Sequence, residues 1–250
     1  MIVKRTSRSR SLLLAAALTR SCQALLRARP PGGRERWERT NHAGRPVGLY
    51  AGPAATLGAA LAAGRVRPGA GLAVLAAGVC GAYDDVAGDH RRGFRAHLGA
   101  LREGEVTSGA VKLFGISGAG LVAGALLKER PLDKLLAGVV IAGSAHLVNL
   151  VDVRPGRAAG AVLALGAPGL LRAGAGGELA AGALGAAAAV LPDDLGERTM
   201  LGDTGAHALG AALGAAVVAG NRRAGLLAHA VALVAAARYG DRVSTWARAL

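Results

Sequence analysis

At 250 residues, 52% of them hydrophobic and 18% charged, with a mean hydropathy of +0.37, the chain is too apolar for an ordinary soluble domain. Aromatic residues make up 3% of it against 39 glycines, a balance that suits helices packed closely in lipid, where small residues let backbones approach. The net charge of +14 forms no single basic stripe but falls between apolar runs, which argues against nucleic acid and for topology signals and anionic-lipid contacts.

Lys4, Arg5, Arg8 and Arg10 precede an apolar segment over 11–26 that contains Arg20. Three readings fit that pattern: a secretory signal peptide, a first membrane helix, or an amphipathic helix lying in the interface. An arginine-rich stretch follows to residue 46. Apolar runs then recur near 48–64, 68–83, 112–127, 134–151, 157–173, 177–191, 201–220 and 223–238. They carry almost no charge and lack the polar stripe that a soluble amphipathic helix shows. Their lengths lie at the short edge for a hydrocarbon core of about 30 Å. The expected fold is all-α, a single-domain polytopic membrane helix bundle of about eight to nine transmembrane helices. Residues 1–46 form its N-terminal segment and 48–238 the bundle. Cys22 and Cys80 have no metal or redox spacing and read as inert packing residues.

Each span reverses the side of the chain. By that parity 27–46, 84–111, 152–156, 192–200 and the C-terminus from Arg238 share one side, which also holds most of the basic residues, Arg91, Arg92 and Arg95 among them. The positive-inside rule makes that side cytoplasmic.

Three acidic motifs fall on the same side. Tyr83-Asp84-Asp85 ends the run at 68–83. Adjacent carboxylates at a membrane helix end are either a solvated helix end or a pair that binds a divalent cation or takes a proton. Asn149-Leu150-Val151-Asp152 ends the run at 134–151, and the spacing puts Asn149, Asp152 and His146 on one helix face. Met200 to Gly210 carries Asp203 between two glycines in a turn that opens a helix, whose first amides favour anionic groups. Carboxylates that hold Mg²⁺, beside Arg and Lys that hold phosphate oxygens, suit a metal–phosphate substrate.

Over residues 40–210 these motifs resemble the polyprenyl-phosphate N-acetylhexosamine-1-phosphate transferases, which include phospho-N-acetylmuramoyl-pentapeptide transferase. Thr40 to Val47, with Asn41 and Arg45, is similar to the family's early cytoplasmic segment. Asp84-Asp85 matches its aspartate pair, and Thr107 to Lys112 its threonine-glycine-lysine segment. Asn149 to Asp152 matches its asparagine-aspartate motif, and Met200 to Gly210, with His207, its glycine-aspartate-threonine-glycine motif. The resemblance implies transfer of a sugar-1-phosphate from a UDP-sugar to a membrane polyprenyl phosphate, with Mg²⁺ (or Mn²⁺) as cofactor and a homodimer as a possible assembly. Asp203 would be the main metal ligand, with Asp84 and Asp85 as further catalytic and metal-binding carboxylates that handle the acceptor phosphate. Lys112 would neutralise phosphate. Asn149 and Asp152 would line the nucleotide side, with Asn41, Arg45, Thr107, His146 and His207 as further substrate contacts. The chain departs from the pattern at Pro155, where the family has another aspartate, and at His146, where it has asparagine. Arg92 stands for a lysine, and the family's late histidine loop has no counterpart. Arg154 and Arg157, which flank Pro155, would hold an altered donor diphosphate. Two alternatives stand beside the enzyme: a non-catalytic relative that binds lipid phosphate or nucleotide and regulates envelope synthesis, and a small transporter.

Overall fold

The computed structural model describes residues 2–88 and 99–249, with side chains from residue 7 onward. Arg91, Arg92 and Arg95, and the side chains of Lys4 and Arg5, lie outside the described residues. The chain is nearly all helical. Helix α1 (Ile2–Ala28) is followed by a small hairpin, β1 (Glu38–Thr40) paired with β2 (Pro46–Gly48). Next come α2 (Ala51–Val66), α3 (Pro68–Ala87), α4 (Ser108–Leu127) and α5 (Pro131–Val151). Helix α6 (Arg157–Gly166) runs into a 3-10 segment, Ala167–Leu171. The series closes with α7 (Ala175–Leu195), α8 (Gly202–Gly220), α9 (Arg223–Arg238) and α10 (Gly240–Ala249).

The expected apolar runs reappear as α2 to α9. Among the described residues four helices, α3, α4, α5 and α7, are long and apolar enough to cross a membrane. The run at 157–173 gives less length than a span requires. Its ten α-helical and five 3-10 residues extend about 25 Å at roughly 1.5 and 2.0 Å per residue, short of the ~30 Å core. Pro168 lacks an N–H to continue the α ladder, which is where the helix tightens.

Contacts at the two ends show that successive helices alternate in direction. At one end α2 turns into α3 with Gly64 against Gly71, Lys128 donates to the Asn221 carbonyl, Arg223 pairs with Asp133, and Arg8 donates to the Leu170 carbonyl. At the other end Gly52 meets Leu201, Asp85 meets the start of α8, Arg20 meets Asp193, and Ser244 donates to the Leu150 carbonyl.

Helix α8 is the buried axis. Almost every residue from Gly202 to Val218 is buried, and α2, α3, α5 and α7 pack around it. Small residues make that possible. A Cβ on Gly210 would lie 2.4 Å from the Ser144 oxygen, and one on Gly205 2.9 Å from the Gly52 Cα. Backbones therefore touch where larger side chains would hold helices apart.

Helix α1, which the sequence left open among three readings, packs along α7 and α2 as a member of the bundle. Thr19 is fully buried against Gly58. Near its C-terminal end Arg20 and Gln23 both donate to the Asp193 carboxylate, at 2.7 and 3.0 Å, and Arg198 closes the cluster at 2.6 Å. Asp193→Ala removes the shared acceptor and leaves Gln23 buried without it. The expected loss is on the order of 2 kcal/mol, read as a lower melting temperature in detergent, with Asp193→Asn intermediate.

Candidate functional site

The site is built at the end of the bundle where α3, α5 and α7 finish and α4 and α8 begin. Lys112, in the first turns of α4, projects its ammonium between two carboxylates. It lies 2.7 Å from Asp84 and 2.5 Å from Asp203. All three side chains are partly accessible, at 19%, 20% and 26%, so the cluster is not sealed in the interior. The N-terminal turn of α4 is fixed by Thr107, whose hydroxyl accepts from the Ala110 N–H at 3.1 Å. This is a helix cap of the usual kind, and it is what the structure shows Thr107 doing.

Asp85 does something different from its neighbour. One carboxylate oxygen accepts from the Asp203 N–H at 3.0 Å. The other accepts from the Thr204 N–H at 3.0 Å and the Thr204 hydroxyl at 2.6 Å. The first amides of a helix have no partner within it, and Asp85 supplies one from another helix. Gly202, at φ +59°, is needed there. A Cβ on it would stand 2.9 Å from both Asp85 oxygens.

His207, one turn into α8, is buried and holds its Nδ1 2.7 Å from the Asp203 carbonyl. His146 on α5 is exposed and lies within charge–charge range of Lys112 and His207. Asn149 is half-buried on the same helix. Asp152 follows as the C-terminal cap of α5, and its carboxylate accepts no hydrogen bond among the described residues. Burial, and then the carboxylates of Asp194, Asp203 and Asp85, push its carboxyl well above the usual range. Asp84, Asp85 and Asp203 are thus joined directly or through Lys112 at one end of the bundle, and Asp152 lies within charge–charge range of Asp85 and Asp203.

Beyond Asp152 the chain turns through Pro155 and a left-handed Gly156 at φ +77°. Arg154 is exposed and Arg157 half-buried, with the Arg157 Nε buried and unpaired among the described residues. Asn41 and Arg45 stand slightly apart on the hairpin. The Asn41 side chain accepts from the Ala43 and Arg45 amides, both at 2.9 Å, which shapes the hairpin tip, and it donates to Glu197 at 2.6 Å. Arg45 pairs with Glu197 at 3.3 Å. The hairpin is tied to the site by Arg39, which donates to the Asp85 carbonyl, and by Gly48, which bridges Thr199.

The sequence reading missed the second aspartate pair. Asp194 is buried and accepts from the Gly156 N–H at 2.7 Å, fixing the turn that carries Arg154 and Arg157. The signal was present: Asp193-Asp194 ends an apolar run as Asp84-Asp85 does.

Among the described residues no group of three His, Cys, Asp or Glu side chains is arranged to hold a metal ion. Asp84 and Asp203, which share one cation already, are the carboxylates suited to a second. A Mg²⁺ site needs only one or two carboxylates when phosphates and water complete it. Comparison of the chain with protein-family models and with curated proteins finds no match.

Two outcomes follow. Asp85→Ala strips three hydrogen bonds from the start of α8 and is expected to cost roughly 1–3 kcal/mol, read as a fall in melting temperature greater than that of Asp84→Ala. For Asp152 the sign runs with its raised pKa. Its stability contribution is complete below the ordinary value of 3.8 and is lost as pH rises through the folded-state value. Asp152→Asn should therefore match the parent in acid and melt higher than it in alkali.

Proposed function

We propose that the chain is a phosphosugar transferase of the inner or plasma membrane, moving a sugar-1-phosphate from a UDP-sugar to a polyprenyl phosphate in envelope glycan synthesis. The observation that carries this reading is the Lys112 ammonium held between Asp84 and Asp203, at the end of the bundle where Asp152 also opens. Lysine and carboxylates interleaved at one cleft suit a substrate that brings both phosphate charge and a cation. The motifs described above supply the rest by their resemblance to the transferase family.

On this reading an oxygen of the lipid phosphate forms the new bond to the β-phosphorus. The bond from that phosphorus to the bridging oxygen breaks, and UMP leaves with the electron pair. Mg²⁺ would offset the charge that develops on the diphosphate, and Asp203 with Asp84 would hold it. Lys112 turns from its carboxylates to the phosphate oxygens. Asp84 takes any proton left on the attacking phosphate. Asp85 keeps the first turn of α8 in place beneath Asp203. Arg154 and Arg157, on the turn fixed by Asp194, meet the donor diphosphate, with Asn149 and Asp152 on the nucleotide side.

The alternating directions of α1 to α9 are what a bundle of eight or nine passes would show, although α6 falls short of a full hydrocarbon span. Arg27, Arg29, Arg34, Arg36, Arg39 and Arg45 lie at the site end, and the positive-inside rule makes that end cytoplasmic.

The second reading, a non-catalytic binder of lipid phosphate or nucleotide, draws on the same geometry. Both Asp85 oxygens are engaged, and Asp84 already has a cation. Purified chain in undecaprenyl-phosphate-containing vesicles, with Mg²⁺ and a panel of labelled UDP-sugars, separates the two. The transferase releases UMP and labels lipid, and Asp203→Asn and Lys112→Gln each lower the rate roughly a hundredfold or more while the melting temperature holds. Binding without turnover by any donor, in a folded protein, refutes the enzyme and leaves the binder.

A further inference from the structure

The junction of α9 and α10 forms a surface that the site does not use. Helix α9 turns Leu227, Val231 and Val234 outward, at 52%, 62% and 59% exposure, a stripe set by spacings of four and three. The chain then breaks at Tyr239 and folds back across the end of α5. There Gly240 packs on Leu150 and the Ser244 hydroxyl donates to the Leu150 carbonyl at 2.8 Å. With Gly240, Ser244 and Ala247 turned inward, the spacing places Tyr239, Arg242 and Trp246 together on an outward flank.

That flank has a definite chemistry. Tyr239 is 53% exposed and Trp246 68%. The guanidiniums of Arg238 and Arg242 stand 5.7 and 5.5 Å from the Tyr239 ring centroid, close enough for cation–π attraction to hold them beside it. Rings with an apolar body and a polar edge, next to arginines and continuous with an outward apolar stripe, fit the headgroup layer of a bilayer and not water or hydrocarbon.

We propose that the Tyr239–Trp246 flank of α10 docks into the headgroup layer of an anionic leaflet, and so sets the depth of the catalytic-site end in the membrane. The partner is lipid because the surface continues the outward stripe of α9, and anionic because Arg238, Arg242 and Arg248 outnumber Asp241. The link to depth is short. Leu150, which α10 grips, is two residues from Asp152.

Trp246 reports its own position once Trp37 is removed. The full chain with Trp37→Phe is reconstituted in bilayers of phosphatidylcholine with or without phosphatidylglycerol, with bromine at shallow or deep acyl positions. The expected result is blue-shifted emission, quenched at least twofold more by shallow than by deep bromine. Brominated phosphatidylglycerol should quench more than brominated phosphatidylcholine at equal fraction, and Arg238→Gln with Arg242→Gln should abolish that difference without moving the melting temperature. Red emission without quenching, a deep maximum, or equal quenching by the two headgroups overturns the proposal. Blue emission that no lipid quenches also overturns it, and points to a protein contact instead. None of these readouts depends on transferase activity.

Discussion

The carboxylate of Asp85 at the start of α8 is the contact on which the rest of the site end rests. A helix buried among other helices exposes its first amides to no water, and each unpaired one is costly. Asp85 reaches across from α3 and accepts from the Asp203 and Thr204 amides and the Thr204 hydroxyl. Its negative charge also lies where the helix dipole is positive. The sequence has cleared space for it. Gly202 leaves room beside the carboxylate, and Gly81 lets α3 approach until a Cβ there would lie 2.3 Å from the Asp203 carbonyl oxygen. With α8 fixed at that end, the preceding helical position on α3 directs Asp84 about 100° away, toward Lys112. One residue of the pair builds the floor and its neighbour faces the cleft.

The same division appears at the end of α7. Asp194 accepts from the Gly156 amide and fixes the turn after Asp152. Asp193 gathers Arg20, Gln23 and Arg198 and so ties α1 to the turn before α8. Adjacent aspartates at a helix end can serve two elements because successive side chains diverge around the axis. Neither pair depends on long-range attraction between exposed charges, which would be weak. Each works through short hydrogen bonds, Asp85 and Asp194 to backbone amides, Asp84 and Asp193 to side-chain donors.

Much of the bundle was legible because a buried or lipid-facing helix needs only an unbroken apolar run, and the runs from 48 to 238 correspond to α2 through α9. The alternating direction followed from parity, and it placed Asp84, Asp152 and Asp203 at one end. Length was less legible. The run at 157–173 reads as a span, but Pro168 tightens it into a 3-10 segment. The hairpin at 38–48 was invisible because its strands are three residues each and are held by Asn41, Gly44 and contacts with Thr199 and Glu197, far away in sequence. Composition could not distinguish Asp84 from Asp85 either. What separates them is which way each side chain points and which glycine has made room.

The charge balance of the cleft shows where its chemistry is least satisfied. Asp85 is compensated by amides and a hydroxyl, Asp194 by the Gly156 amide, and Asp84 with Asp203 by the Lys112 ammonium. Asp152 has no such partner among the described residues, and three of those same carboxylates crowd it. A carboxylate in that position either holds a proton or waits for a cation. Two residues further on stands Arg154, then Arg157 with its buried Nε unpaired, cations that lack a matching anion among the described residues. Among the described residues, an acid and cations without partners thus flank one turn that Asp194 fixes. Pro155 and the left-handed Gly156, held by Asp194, shape that turn, which the Arg157 N–H closes by donating to the Arg154 carbonyl at 3.2 Å.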